Sequence, residues 1–542
     1  MKKASKILAV ILSLAMVFSV FGVGATASDG SAPKDLRFAK TLSKVVTDVL
    51  QGIIGGVSLM FRDPGLSKKS EYTYTPVFEG TGGFATEPTA DKWLAGYGSA
   101  SLIPYDLDTG GYHLAGSFGW FKGNIANGST TDQRIYVEAL NAGEGWVLFC
   151  AMDGFAITEP TTDRVRAAVK EAFDGTDAEI KAVNITCTHT HHALDFCGLG
   201  DGLSNLFSYN ITHFGSSKGY DSVDARLLEI LKTKTVESAK TAIESARYGE
   251  LYYGAADASD ILYDKQKPVV FDPNINVIKF VPDDGSSEIW LINAGVHPTT
   301  IDRSTMDVSA DFPGYMVDYA KETYGADVAF YQGAQAAMTK DTGPLGIPAG
   351  SDDYEVARVY AHELVDRAAS VDIGSAERVA PILNMAYGYT QSKVTNNIMV
   401  LGGKLRLINS NFCKEKLSYY VCTEVGYCEL GDNLAIALIP GEMSPEIVYG
   451  GVASASESWS GKDWEYPPLQ DLVGGRRLLC FGLTNDELGY IVPDNDFAPE
   501  FAQFFADMLG DRNKHYEEVM SCGRETASTL TQAYIDLIGS VH

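Results

Sequence analysis

Apolar residues recur at helical spacing from Asp35 to Phe61: Leu36, Phe38, Leu42, Val45, Val46, Val49, Leu50, Ile53 and Ile54. That period predicts an amphipathic helix. Gly52, Gly55 and Gly56 weaken its end, and Asp63-Pro64-Gly65 breaks the chain. Ser67 to Asp91 is polar and rich in Gly, Thr and Pro, so residues 28–90 read as an N-terminal helix and linker. Docking of this arm onto the main body is the simplest reading; a propeptide or a surface-binding segment are the alternatives. From Trp93 onward short apolar runs alternate with helical ones. Trp146 to Cys150, Ala182 to Cys187, Ile289 to Ile292 and Val328 to Tyr331 predict buried strands. Thr162 to Phe173, Asp224 to Arg247 and Asp311 to Tyr324 predict helices between them. Phe497 to Leu509 and His515 to Leu530 read as closing helices. This is an α/β pattern, a large single domain over 91–542 with mixed sheets and flanking helices.

The N-terminus changes the cellular setting. Lys2, Lys3 and Lys6 precede an apolar run from Ile7 to Val23, and Ala25-Thr26-Ala27 offers small residues for cleavage. Residues 1–27 are expected to be a signal peptide cut after Ala27, giving a secreted or cell-surface protein. The alternative is an uncleaved anchor helix, for which 17 apolar residues are short of the ~20 that span a bilayer.

Composition narrows the function classes. The 542 residues are 45% hydrophobic and 21% charged, enough for a buried core, which excludes wholesale disorder. Lys and Arg total 43 against 70 acids, a formal net charge of −27. That excludes a general nucleic-acid binder and disfavours tight docking on an anionic membrane, leaving peripheral contact through a local patch. The eight cysteines include no CxxC pair; they read as buried small hydrophobes rather than a disulfide framework. No obligate protein partner is evident.

Chemistry concentrates in the nine histidines. Thr188-His189-Thr190-His191-His192 follows a β-branched strand, and strand alternation would put His189 and His191 on one face with His192 opposite. Two imidazoles at a strand end suit a transition metal; the alternative is a solvated polar strand end. His297 follows Ile289–Ile292 into a Pro-marked turn, and Glu442 follows Leu438-Ile439-Pro440-Gly441. Both lie where open α/β sheets place ligands. Asp302, Asp307 and Asp311 could take Ca²⁺, although a solvated acidic loop is the simpler reading. His515-Tyr516-Glu517-Glu518 could hold a second metal, or form a helix face with exposed glutamates.

In order along the chain, these segments resemble the neutral/alkaline (non-lysosomal) ceramidase family. Ala95 to Pro104 is similar to its opening strand, Thr188-His189-Thr190-His191 to its HTH signature, and Val296-His297-Pro298-Thr299 to its second histidine segment. Ser309 to Tyr315, Pro440-Gly441-Glu442 and Gly482 to Val492 resemble three further segments. The resemblance spans residues 94 to 540. It implies one zinc ion in a pocket at strand ends, with His189, His297, Glu442 and Tyr490 as ligands. It implies His191 as a proton carrier and Asp311 as a pocket residue. Tyr490 could instead hydrogen-bond an oxyanion. The implied reaction is hydrolysis of an N-acyl amide lipid, such as ceramide, by zinc-activated water.

The sequence departs from the family pattern in three places. His192-Ala193-Leu194 stands where the pattern runs on to Ser-Gly-Pro. Thr339 stands where the family has a serine proposed as nucleophile, with Ala337, Lys340 and Asp341 around it. Thr339 is expected to contact substrate or oxyanion rather than to attack. The segment after Tyr490 is too short for the C-terminal immunoglobulin-like domain of many members. Two further readings stay open: a metallohydrolase of the same fold acting on a non-ceramide amide or ester, and an exported binding protein that has lost turnover.

Overall fold

Side-chain alternation decides the layers. In the strand Arg134–Asn141, Ile135, Val137 and Ala139 enter one core while Tyr136 and Leu140 enter another. In Trp146–Met152, Leu148 and Cys150 face the first core and Val147 and Phe149 the second. Strands buried on both faces read as the near-continuous apolar runs seen in the sequence. The computed structural model describes residues 36–116, 124–200, 209, 212, 220–505 and 515–542. The expected signal peptide lies outside the described residues, as does His213.

The larger sheet has nine strands. Their order is Asp327–Gln332, Ile289–Ala294, Asn274–Pro282, Arg247–Asp257, Trp93–Ser101, Arg134–Asn141, Trp146–Met152 and Ile180–Cys187, with Glu377–Val379 beside Arg247–Asp257. The outermost pair at each end is parallel and the pairs between are antiparallel. A second sheet of six strands centres on the long strand Ser418–Leu430, flanked by Leu383–Val394, Asn411–Glu415 and Leu434–Leu438. Arg477–Phe481 runs parallel to Leu434–Leu438 at its edge. The two sheets meet face to face over Phe149, Leu291, Tyr331, Met385, Ile436 and Phe481. Burying a Phe or Ile fully in such a core contributes about 1.5–3 kcal/mol each.

Helices cover the outer faces. Glu159–Phe173 and Ala225–Glu244 lie on one part of the larger sheet, and Phe312–Tyr324 and Asp353–Ser370 on the other. Thr526–Val541 covers the smaller sheet. The result is a mixed α/β sandwich of helix, sheet, sheet and helix. Among the described residues no helix is long and apolar enough to cross a membrane.

The larger sheet bends until its two edges meet. Tyr331, on one edge strand, donates its hydroxyl to Glu138, five strands away in the sheet order, at 2.7 Å. Gln332 ends the same edge strand and is fully buried. Its carboxamide donates to Thr188 O at 3.0 Å, beyond the opposite edge, and to Val296 O at 2.7 Å, and accepts from Val296 N at 3.1 Å. One side chain thus ties together the two segments that carry the histidines.

The predicted N-terminal helix forms over Leu36–Ser58 and rests on the body. Ile54 and Val57 pack against Leu401, Leu405, Phe501 and Val519, and Lys404 Nζ donates to Ser58 O at the helix C-terminus. The closing helices differ from expectation. Phe497 to Leu509 shows only a 3₁₀ turn at Ala502–Phe505 among its described residues. His515 to Leu530 is a 3₁₀ turn at Glu517–Met520 followed by the helix Thr526–Val541. Gly523 makes that break: at φ 145 it packs where a Cβ would meet Thr395 Oγ1 at 2.0 Å. The eight cysteines are all buried, as small hydrophobes would be.

Candidate metal centre

Four strand ends deliver the site. Ile180–Cys187 leads to His189 and His191, Ile289–Ala294 to His297, Leu434–Leu438 to Glu442, and Arg477–Phe481 to Tyr490. Strand alternation alone does not bring His189 and His191 together, because the strand has already ended at Cys187. His189 instead turns through the left-handed region at φ 69, a conformation that costs a non-glycine residue roughly 1–2 kcal/mol. Its N–H donates to Gly154 O at 2.8 Å, which holds the turn. His192 points away and donates Nε2–H to Asp302 O at 3.0 Å.

The donor atoms of His189, His191 and His297 all lie within 4.8 Å of one another, and all three residues are buried. Each ring sends Nδ1 to a main-chain carbonyl: His189 to Phe155 O at 2.7 Å, His191 to Gly116 O at 3.2 Å, His297 to Met338 O at 2.7 Å. These carbonyls fix the tautomer with Nε2 bare and turned inward, the outer-shell arrangement of histidine metal ligands. Phe155 walls the group, stacked on His189 at 4.6 Å and edge-on to His191 at 5.0 Å.

Glu442 completes the cluster. Its Oε2 lies 2.9 Å from His297 Nε2 and 3.4 Å from His189 Nε2, and accepts from Gln335 Nε2 at 3.3 Å. Burial alone would raise the Glu442 carboxyl, but the His189 and His297 rings outweigh it and hold it below the usual range. Burial lowers His297, with Glu442 opposing, and lowers His191 well below the imidazole range. A neutral ring has one N–H, yet His297 faces an acceptor on both sides. A cation between Nε2 and Oε2 removes that conflict. His191 Nε2 is buried without a partner. Three inward imidazole nitrogens and one carboxylate are a donor set that suits a transition metal.

Tyr490 sits beside Glu442 by register, since Glu442–Met443 pairs in parallel with Tyr490–Ile491. Burial, then Glu442, pushes its phenol well above the ordinary range. Gly489 makes the approach: it has φ 75, and a Cβ there would meet Met520 O at 1.9 Å. Met520 belongs to the turn after Tyr516, whose ring stands 5.8 Å from that of Tyr490. Thr339 lies on the short strand Met338–Lys340, one residue from the carbonyl that anchors His297.

Asp311 does a different job from the pocket role expected of it. Fully buried, its Oδ2 accepts from Thr300 N and Ile301 N and its Oδ1 from Phe312 N, so it fastens the loop after His297 to the helix Phe312–Tyr324. The Ca²⁺ reading of Asp302, Asp307 and Asp311 fails for the same reason: Asp311 is spent on main-chain N–H groups, and Asp302 turns its carboxylate onto Ser304. Sequence reasoning missed Phe155, Gln332 and Gln335, and put Tyr516 in a candidate second-metal stretch rather than beside Tyr490. Gln332 and Gln335 lie in the Tyr331 to Asp341 stretch already singled out for Thr339, but nothing in their spacing marks them as clamps.

No protein-family model matches the sequence, and no curated protein matches it. Solved structures do. The neutral ceramidase from Pseudomonas aeruginosa is similar over 83% of this chain and 74% of its own, with a TM-score of 0.61 and 17% identity. A ceramidase complexed with C2 is similar over 83% of this chain and 75% of its own, with a TM-score of 0.60 and 15% identity. At these identities the likeness is one of architecture, and the chain has the fold of neutral ceramidase.

Proposed function

We propose that the chain is an exported zinc-dependent amidohydrolase that cleaves an N-acyl amide lipid of the ceramide type. One observation carries this reading: three buried histidines anchored through Nδ1 converge, and two of them, His189 and His297, turn Nε2 onto the buried carboxylate of Glu442. His189, His297 and Glu442 hold the metal, with Tyr490 at the fourth position. When bound, the zinc ion supplies a Lewis acid for the amide carbonyl and lowers the pKa of a water to about 7. His191, with its bare Nε2, faces the same space; it would take the proton released by the attacking water and pass it to the departing amine nitrogen. Thr339 contacts the acyl-amide group from the rim, and Asp311 positions the His297 loop. Tyr490 and Tyr516 wall the leaving-group side.

The test joins metal content to turnover on purified full-length chain. About one zinc per chain and hydrolysis of a long-chain ceramide, lost to a chelator and restored by zinc, is the expected result. His297→Ala should lose both zinc and activity while keeping its far-ultraviolet dichroism. Thr339→Ala should keep the metal and slow the reaction. Zinc with turnover of short soluble amides only would move the substrate away from ceramide. Zinc without turnover across an acyl-amide panel would leave a binding protein, and no metal after zinc loading would overturn the hydrolase reading.

A further inference from the structure

Two cysteines differ from the other six. Cys150, Cys187, Cys197, Cys428, Cys480 and Cys522 pack into the apolar clusters of the core. Cys413 and Cys422 belong to none of these clusters, although they are only 0% and 2% exposed. Their neighbours are polar. Lys69 Nζ stands over the Tyr420 ring at 4.0 Å, and the Tyr72 hydroxyl lies against Cys422.

Strand pairing brings the two thiols together. Asn411–Glu415 runs antiparallel to Ser418–Leu430, with Cys413 opposite Tyr420 and Cys422 opposite Asn411. Residues two apart on a strand share a face, so the thiols are diagonal neighbours on one face of the pair. The Cys422 S–H donates to Cys413 Sγ at 3.2 Å. A disulfide bond is about 2.05 Å long, so the sulfurs need to approach by only about 1 Å. The two thiols are not equivalent. The hydrogen bond from Cys422 outweighs burial and, with Lys69, lowers the Cys413 thiol below the ordinary cysteine range. The same hydrogen bond, with burial, raises Cys422. Cys413 is therefore the better nucleophile of the two at neutral pH.

We propose that Cys413 and Cys422 form a disulfide in the exported chain, closing the hairpin made by Asn411–Glu415 and Ser418–Leu430. This rests on the export reading, because disulfides persist outside the cytosol and are rare where glutathione keeps thiols reduced. Cys413, as thiolate, attacks a sulfur of a donor disulfide, that of a thiol oxidoreductase or of oxidised glutathione, and expels a thiolate. Cys422 then gives its proton to solvent and attacks Cys413 Sγ in the mixed disulfide, expelling the second thiolate. The donor is reduced to two thiols as the two cysteines are oxidised to one disulfide. Burial sets the order of events. Ser67 of the N-terminal arm pairs with Cys413, and Lys69 and Tyr72 follow it over the thiols. The bond forms before the arm docks, and docking then shields it from reductants.

The test is peptide mapping of the full-length exported chain after acid quench and alkylation. One linked pair joining Cys413 to Cys422, with the other six cysteines alkylated, is the expected result. Reduction should lower the thermal midpoint by roughly 2–3 °C, the shift for a closed loop of about ten residues in a chain of this length. Cys413→Ser and Cys422→Ser should melt like the reduced parent and no longer respond to reductant, with zinc content unchanged. Reduced parent refolded in oxidised glutathione should regain the link, which tests the pair without any export. Eight alkylated cysteines in an exported chain would overturn the proposal, as would a refolded chain with no link or with links through other cysteines. A chain that stays in the cytosol, yet forms this link in oxidised glutathione, would refute the export reading and uphold the pairing.

Discussion

Gln332 is the residue whose removal should part the two histidine segments. Gln332→Leu keeps the volume and deletes three buried hydrogen bonds, two to the carbonyls of Thr188 and Val296 and one from Val296 N. A buried group left unpaired costs about 1–3 kcal/mol. Taking the lower figure for each, the variant should lose about 3 kcal/mol, before relaxation and water entry reduce it. In a chain of this length that is a fall of roughly 3 °C in thermal midpoint. The effect on the site should be larger than on the fold. His189 is one residue from Thr188 and His297 one from Val296, so both rings lose a common reference. Supporting residues of metal ligands typically change affinity by about 10–100-fold. Competition with a chromophoric chelator measures that loss, and scanning calorimetry the stability. Gln332→Glu separates the contributions: it can still accept from Val296 N but cannot donate to either carbonyl. If Gln332→Leu matched the parent in both midpoint and metal affinity, Gln332 would not be the clamp, and the bend of the sheet would have to be held by the apolar core alone.

Two other perturbations read different parts of the molecule. Burial raises the Asp153 carboxyl to about 7, against the pull of the Tyr136 hydroxyl and Arg134 N–H. The folded chain therefore binds this proton more tightly than the unfolded chain does. Stability should fall as pH rises from about 4 to 7, by up to about 4 kcal/mol from this group, and stay level above. Asp153→Asn should flatten that part of the urea-unfolding profile, and an unchanged slope would refute the assignment. Gly489→Ala should lose at least about 2 kcal/mol, because the residue adopts positive φ and its Cβ would strike Met520 O. Metal affinity should fall with it; a loss under about 0.5 kcal/mol by chemical denaturation would mean the turn at Met520 yields freely.

The elements were legible where periodicity was strong. The strands at Trp146, Ile180, Ile289 and Asp327 and the helices at Glu159, Ala225 and Phe312 fall within a few residues of the apolar runs that predicted them. The histidines that converge were legible too, because His189, His191 and His297 follow apolar runs, and strand ends are where side chains can meet. What could not be read was how they converge. His189 meets His191 through a left-handed turn rather than through strand alternation. Asp311 looked like chemistry and is architecture, since a carboxylate that caps a helix and fastens a loop has the same local spacing as one that lines a pocket. At the C-terminus Gly523 breaks a helical pattern for a packing reason that depends on Thr395, 128 positions earlier.

The polar groups inside the molecule follow one logic. Two buried polar groups, Glu138 and Tyr331, pair across the bend of the larger sheet, and the histidines gather at the strand ends. Parallel pairing at the edges matters here. It sends Ile180–Cys187 out at the same end as its neighbour, and does the same for Ile289–Ala294 and Arg477–Phe481. Loops leaving one end of several strands can bring residues 145 and 107 positions apart onto a single carboxylate. A continuous antiparallel meander would alternate its loops between the two ends and split the set. The mixed topology is therefore part of the site: it makes a buried cluster of three imidazoles and a carboxylate reachable from three separate strands, and Gln332 locks two of those strand ends together.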